Sequence, residues 1–271
     1  MADQPPTGGQ QLPPAIDTTV PHSARIWNYW LGGKDNYPVD RAAGDQYREI
    51  FPGIADIARA IRYFLARATR YLAGEAGVHQ FLDVGTGLPT VDNTHEVAQR
   101  ANPRCRVVYV DNDPLVLVHA RALLTSTPEG ATDYVDADLR QPGKILAAAA
   151  RTLDFSQPVA LMLMGVMGHI GDYGEARSIV RQLIDALPSG GYLALADSIN
   201  VGEAHKEAGR RYEEGGAVPY HLRSPEQVAG FFHGLTLVDP GVVSVSRWRP
   251  DPSPFGLPDE VESLAGVARK P

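Results

Sequence analysis

The stretch Phe81-Leu-Asp-Val-Gly-Thr-Gly-Leu-Pro89 decides the fold of this chain. Phe81 to Val84 is a short apolar run interrupted only by Asp83, and it feeds straight into a turn carrying Gly85 and Gly87. Neither glycine has a Cβ, so the backbone can turn tightly there and come close to a ligand. Asp83 falls at the carboxyl end of the expected strand, the edge at which open α/β sheets bind their ligands. One strand–helix unit later a second apolar run, Arg106-Val-Val-Tyr-Val-Asp111, also ends in an acid, with Asn112 and Asp113 directly behind it.

Outward from this pair the chain keeps alternating. Strands are predicted over 78–84, 106–110, 131–135, 158–164 and 192–196, with helices over 89–100, 114–124, 143–152 and 173–187 between them. The run at 158–164 is almost wholly apolar, as a central strand of a parallel sheet must be. A polar, mobile helix over 200–216, a capped helix over 224–232 and strands at 235–238 and 264–268 follow, the last two separated by a Pro-rich loop. Five β/α alternations, a strand, a long connection and a final strand give a three-layer, Rossmann-like α/β sandwich with a mainly parallel sheet.

Ahead of this core, Ser23 can cap a helix over 24–31 that Gly32-Gly33 stops, and a second helix is expected over 40–53. A third, over 54–73, has apolar residues at helical spacing, with Arg59, Arg62, Arg67 and Arg70 on a solvated face. The expected organisation is a disordered tail over 1–15, an N-terminal helical lid over 16–77 and a binding core over 78–271.

Composition narrows the function. The net charge of −7 argues against nucleic acid as a partner. The longest apolar run, 158–167, is too short to span a bilayer. The polar N-terminus lacks a charged-then-apolar leader pattern, so a cytoplasmic protein is expected. Cys105 is the single cysteine, which excludes a disulfide framework and a cysteine-based zinc site, and no metal is expected.

A glycine turn followed by a strand-end carboxylate suits an adenosine, with glycines beneath the sugar and the carboxylate on the ribose hydroxyls. A nicotinamide dinucleotide fits less well: its fingerprint needs glycine at the sixth place of the turn, where this chain has Thr90. The motifs Asp83-Val-Gly-Thr-Gly87, Asp111, Asp138 and Leu187-Pro-Ser-Gly-Gly191 resemble those of class I S-adenosylmethionine-dependent methyltransferases. The segment Leu31-Gly-Gly-Lys-Asp-Asn36, with Gly85-Thr-Gly-Leu-Pro89 and Tyr109-Val-Asp-Asn-Asp113, is similar to a bacterial group of S-adenosyl methyltransferases of unknown substrate. Pro89 departs from the broad motif, which has a third glycine there.

The resemblance implies a seven-stranded sheet whose last strand runs antiparallel, S-adenosyl-L-methionine as cofactor and S-adenosyl-L-homocysteine as product. Asp83, Gly85, Thr86 and Gly87 would meet the methionine tail and sugar, and Asp111 and Asn112 the ribose and adenine. Asp138 and Leu139 would meet the adenine, and Met164 and Gly165 the sulfonium. The tail carboxylate needs glycine-turn N–H groups or a cation, for which Arg25 or Lys34 is available. Asp113 before Pro114 reads as a helix cap.

An O or N acceptor of high pKa needs a base within hydrogen-bond reach. His169, Tyr29 and His22 are the candidates, with Tyr220 and His221 behind them. Trp27, Tyr29, Trp30 and Tyr37 suit either core packing or a lid over a flat small-molecule substrate. The leading function is therefore methyl transfer to a small molecule; the alternative is a catalytically silent regulatory protein that binds the same cofactor.

Overall fold

Strict alternation along the central strands sets the architecture. In the computed structural model, which describes residues 16–123 and 125–271, strand β4 (Ala160–Met164) turns Leu161 and Leu163 to one face and Ala160 and Met162 to the other. All four are fully buried, because both faces of the sheet are covered. The tail expected at 1–15 lies outside the described residues.

The sheet has eight strands in the order β3-β2-β1-β4-β5-β8-β6, with β7 paired to β8. They are β1 (Gln80–Val84), β2 (Arg106–Asp111), β3 (Ala131–Asp136), β4, β5 (Tyr192–Ser198), β6 (Thr236–Leu237), β7 (Val243–Ser244) and β8 (Ser263–Arg269). Strands β1 to β5 are mutually parallel, and β8 enters antiparallel between β5 and β6. The strand order reverses between β1 and β4, which opens a crevice at their carboxyl ends. One short strand was not foreseen: β7 continues the edge that β6 begins, pairing further along β8.

Nine α-helices complete the described residues: α1 (Ser23–Trp30), α2 (Pro38–Ile50), α3 (Ile54–Gly74), α4 (Thr94–Ala101), α5 (Pro114–Leu123), α6 (Pro142–Ala149), α7 (Tyr173–Asp185), α8 (Glu203–Glu214) and α9 (Pro225–Gly230). One face of the sheet packs on α6, α7 and α9 through Ile145, Leu183 and Val228. The other packs on α3 and α4 through Phe64, Leu72 and Ala98, with Trp248 fully buried among them. Helix α3, grouped with the N-terminal segment in the sequence, is thus one layer of the sandwich.

Local chemistry explains where the helices differ from expectation. His22, not Ser23, is the N-cap of α1. Helix α2 starts earlier than 40 because Pro38 fits its first turn and the Asp40 carboxylate accepts from the Tyr37 N–H at 2.8 Å. Helix α4 starts later than 89. Asp92 is left-handed (φ 60°), and Asn93 and Glu96 close a capping box just beyond it.

Candidate functional site

Asp83 lies on the same face of β1 as Phe81, so its carboxylate points toward α3 and α4. There Thr94 donates its hydroxyl to Oδ2 at 2.5 Å, and the Arg62 guanidinium supplies positive potential. The carboxyl is 3% exposed, and burial pushes it up to about 6 despite these two groups. Asp111, at the end of β2, is buried beside it and is also raised by desolvation. Its Oδ2 accepts from Gly87 N at 2.8 Å and its Oδ1 from Asp113 N at 3.0 Å. These backbone bonds occupy two of about four lone-pair sites, leaving the others for ligand hydroxyls.

The glycine turn is built for contact. Gly85 and Gly87 have φ of 74° and 67°. A Cβ on Gly85 would come within 2.4 Å of Val166, whereas above Gly87 there is open space. The turn's own donors are spent inside the protein: Gly85 N and Thr86 N go to the Val110 carbonyl, and Gly87 N to Asp111. A carboxylate bound here must therefore find its cation elsewhere.

Arg62 offers a cation there, and the sequence reading had placed it on a solvated face. It leaves α3 beside Ile61, at the border of the apolar stripe, and lines the cleft next to Asp83. Its Nε and Nη2 are held by the Val91 carbonyl, with Asn93 Oδ1 also on Nη2. Among the described residues Nη1 has no such partner. Burial lowers its pKa, and Asp83 opposes that shift.

These groups surround a cleft of about 190 Å³ at the carboxyl ends of β1, β2 and β4. Of the residues predicted for a cofactor, Asp83, Gly85, Thr86, Gly87, Asp111, Asn112, Asp138, Leu139, Met164 and Gly165 all line it. Asp138 also makes a local turn, accepting from Arg140 N at 2.7 Å. Arg25 and Lys34 are not in the wall. Arg25 is 4% exposed and turned inward, donating to the Asp17 carbonyl and lying 3.7 to 3.8 Å from Asp113 and Asp40. Lys34 is exposed on the loop after α1.

The three base candidates separate in the same way. Tyr29 is outside the cleft and donates to Asp45 at 2.6 Å. His22 lines the cleft, but its Nδ1 accepts from Ala24 N at 3.3 Å in capping α1 and sits 2.9 Å from Asp113 Oδ2, so that nitrogen is engaged within the protein. Asp113 caps α5 as expected, accepting from Leu115 N. Burial pushes its carboxyl up, but the His22 bond and charge, the Leu115 N–H and Arg25 outweigh that and hold it below its ordinary value.

His169 follows β4 in a short 3-10 turn and lies within hydrogen-bond reach of the Pro219 carbonyl through Nδ1, at 3.0 Å. A carbonyl only accepts, so Nδ1 carries the proton and Nε2 is left with a lone pair. Burial holds the ring's pKa below its ordinary value, the Pro219 bond opposing only in part. His169 also lines a second, smaller cavity that adjoins the first.

Among the described residues no helix is long and apolar enough to cross a membrane, and no cluster of His, Cys, Asp or Glu could hold a metal ion.

Known proteins agree with this architecture. A DUF574 family protein from Streptomyces avermitilis superposes with a TM-score of 0.90 at 45% identity, over 95% of this chain and 100% of that one. A candidate methyltransferase from Thermobifida fusca follows with a TM-score of 0.86 at 42% identity, over 95% and 98%. An O-methyltransferase family protein from Burkholderia thailandensis shares the fold alone, with a TM-score of 0.53 at 14% identity over 80% of this chain and 58% of that one. No curated protein matches the chain. Residues 9–271 match the profile described as S-adenosyl methyltransferase, and the chain belongs to that family.

Proposed function

We propose that the chain binds S-adenosyl-L-methionine in the 190 Å³ cleft and transfers its methyl group to a small-molecule acceptor. The observation that carries this reading is the pairing of two buried carboxylates with one half-buried arginine at the sheet's switch point. A buried carboxyl raised to about 6 is poised for a cation, and Asp83 would accept the tail ammonium. Arg62 Nη1 would take the tail carboxylate, since the glycine-turn donors are committed elsewhere. Asp111 would take the ribose hydroxyls with its remaining lone pairs. Asp138 and Leu139 would border the adenine, and Met164 and Gly165 the sulfonium.

When bound, the cofactor would supply a methyl carbon activated by positive sulfur, open to in-line displacement by the acceptor's lone pair with S-adenosyl-L-homocysteine as the leaving group. His169 receives the acceptor's proton on Nε2, while the Pro219 carbonyl keeps Nδ1 protonated and the ring in one tautomer. Trp27, on α1, covers the junction of the two cavities and keeps water from the reacting atoms.

Titration calorimetry with S-adenosyl-L-homocysteine and with NAD tests the cleft. Micromolar binding of the first and none of the second is expected, and saturation by NAD alone would refute the assignment. His169→Gln tests the chemistry: kcat should fall about 100-fold or more with product affinity kept within a few fold.

A further inference from the structure

The second cavity, of about 50 Å³, adjoins the cleft where Ser23, Trp27, Gly165 and His169 line both. Its other walls include Trp30, Tyr47, Tyr212, Tyr220 and His205, and among the described residues no Asp, Glu, Lys or Arg side chain lines it. Burial pushes the Tyr47 and Tyr212 hydroxyls well above their ordinary pKa, so both phenols stay neutral. Tyr220 donates to Asp197, which sits behind it. The cavity is thus aromatic on its sides and uncharged throughout.

One buried imidazole in this wall is short of partners. His205, on α8, is 1% exposed; neither ring nitrogen has a hydrogen bond of normal geometry, and the Ile199 carbonyl is the one backbone acceptor close enough to act on the ring. The ring is stacked on Phe51, with centroids 4.0 Å apart and planes 5° from parallel, and it meets Tyr47 edge-on. Stacking fixes the plane of the imidazole and leaves its edge as the only place for a partner. Burial lowers its pKa to about 4 although the Ile199 carbonyl acts the other way, so the ring is neutral: the nitrogen toward Ile199 carries the proton and the other keeps a lone pair without a partner. A buried acceptor left unmade is costly, and an unmet polar atom in the wall of a cavity needs an explanation, which a ligand donor would supply.

We propose that this cavity and its junction with the cleft form the acceptor site, and that the acceptor is an uncharged, single-ring hydroxyarene. The polar substituent that is not methylated bonds the edge of His205, and the hydroxyl that is methylated faces His169. The absence of a charged wall excludes a carboxylate or ammonium acceptor, which would be desolvated there without a counter-charge. Size argues for one ring: a dry cavity of about 150 Å³ admits benzene. At about 50 Å³ this one holds only the leading polar edge, with the ring across the junction beside Trp27.

This inference rests on the cofactor reading of the main cleft, and the test separates the two. Saturation-transfer NMR on the full chain with S-adenosyl-L-homocysteine present should detect binding of catechol and resorcinol but not of 4-hydroxybenzoate or tyramine. Product release should follow the same order. His205→Phe keeps the stack on Phe51 but has no ring nitrogen; it should leave S-adenosyl-L-homocysteine affinity within about twofold and raise KM for catechol at least tenfold. His205→Gln restores a donor and an acceptor and should recover part of that loss, which a purely structural role would not allow; it also carries the test if His205→Phe does not fold. Preference for the charged arenes, or an unchanged KM in His205→Phe and His205→Gln, overturns the acceptor assignment alone. Loss of S-adenosyl-L-homocysteine binding by the unaltered protein overturns the reading beneath it as well.

Discussion

Replacing Asp83 by Asn should stabilise the free protein while weakening the cofactor complex. A carboxyl moved from an ordinary 3.8 to about 6 by burial carries about 3 kcal/mol against its ionised form at neutral pH. Asn has the same shape and can still accept the Thr94 hydroxyl, but it has no charge to desolvate. Part of the gain is lost with the attraction to Arg62, so a net gain of about 1–3 kcal/mol is expected, or roughly 2–5 °C in Tm. Because the folded-state pKa is raised, the wild-type cost is full above about pH 6, shrinks as pH falls, and vanishes below the ordinary 3.8. The difference between variant and wild type should therefore close between pH 6 and 4. Affinity for S-adenosyl-L-homocysteine should move the other way, losing about 1.5–3 kcal/mol with the charged partner of the ammonium. Thermal unfolding across pH, with calorimetry at pH 7.5, reads both quantities. A variant less stable than wild type at pH 7.5, with unaltered affinity, would refute the reasoning.

Three further substitutions probe the remaining parts. Arg62→Gln should weaken S-adenosyl-L-homocysteine binding by about 1.5–3 kcal/mol, yet bind 5′-methylthioadenosine, which has no amino-acid tail, as wild type does; equal losses for both ligands would exclude contact with the tail carboxylate. Asp111→Ala should weaken both ligands by about 1.5–3 kcal/mol, measured by calorimetry. Arg25→Ala should cost about 3 kcal/mol in denaturant unfolding, because it strands Asp40 (0% exposed) and Asp113 (2% exposed) without a guanidinium.

Much of this was legible because parallel strands buried on both faces leave apolar runs of fixed length, and acids at their ends are conspicuous. Asp83 and Asp111 stand out in this way. Two groups did not stand out, for different reasons. Arg62 shares α3 with Arg59, which pairs on the surface with Asp56, and Arg70, which pairs with Asp251. Only the placement of α3 over β1 and α4 distinguishes the arginine beside Ile61 from those. His205 was hidden in a helix that reads as polar because its buried stripe is only His205, Ala208 and Tyr212. Those residues pack with Trp30 and Tyr47 from α1 and α2, a partnership that no local pattern announces. The edge strand β7 is two residues long, too short for alternation to register.

The polar contacts of the N-terminal segment bear on how the two ligands must bind. Trp27 lines both cavities, and one turn earlier His22 and Arg25 reach the Asp113 carboxylate. Asp113 in turn donates its N–H to Asp111, whose other oxygen holds Gly87. Lifting α1 would therefore leave Asp113 buried without Arg25 and His22 and loosen the anchor of Asp111. Each partner favours the other's bound geometry, so cofactor in the cleft should hold α1 down, and a docked α1 should slow cofactor loss. The proposed acceptor site, walled in part by α1, would be complete only in that docked state, so cofactor should bind first and acceptor second.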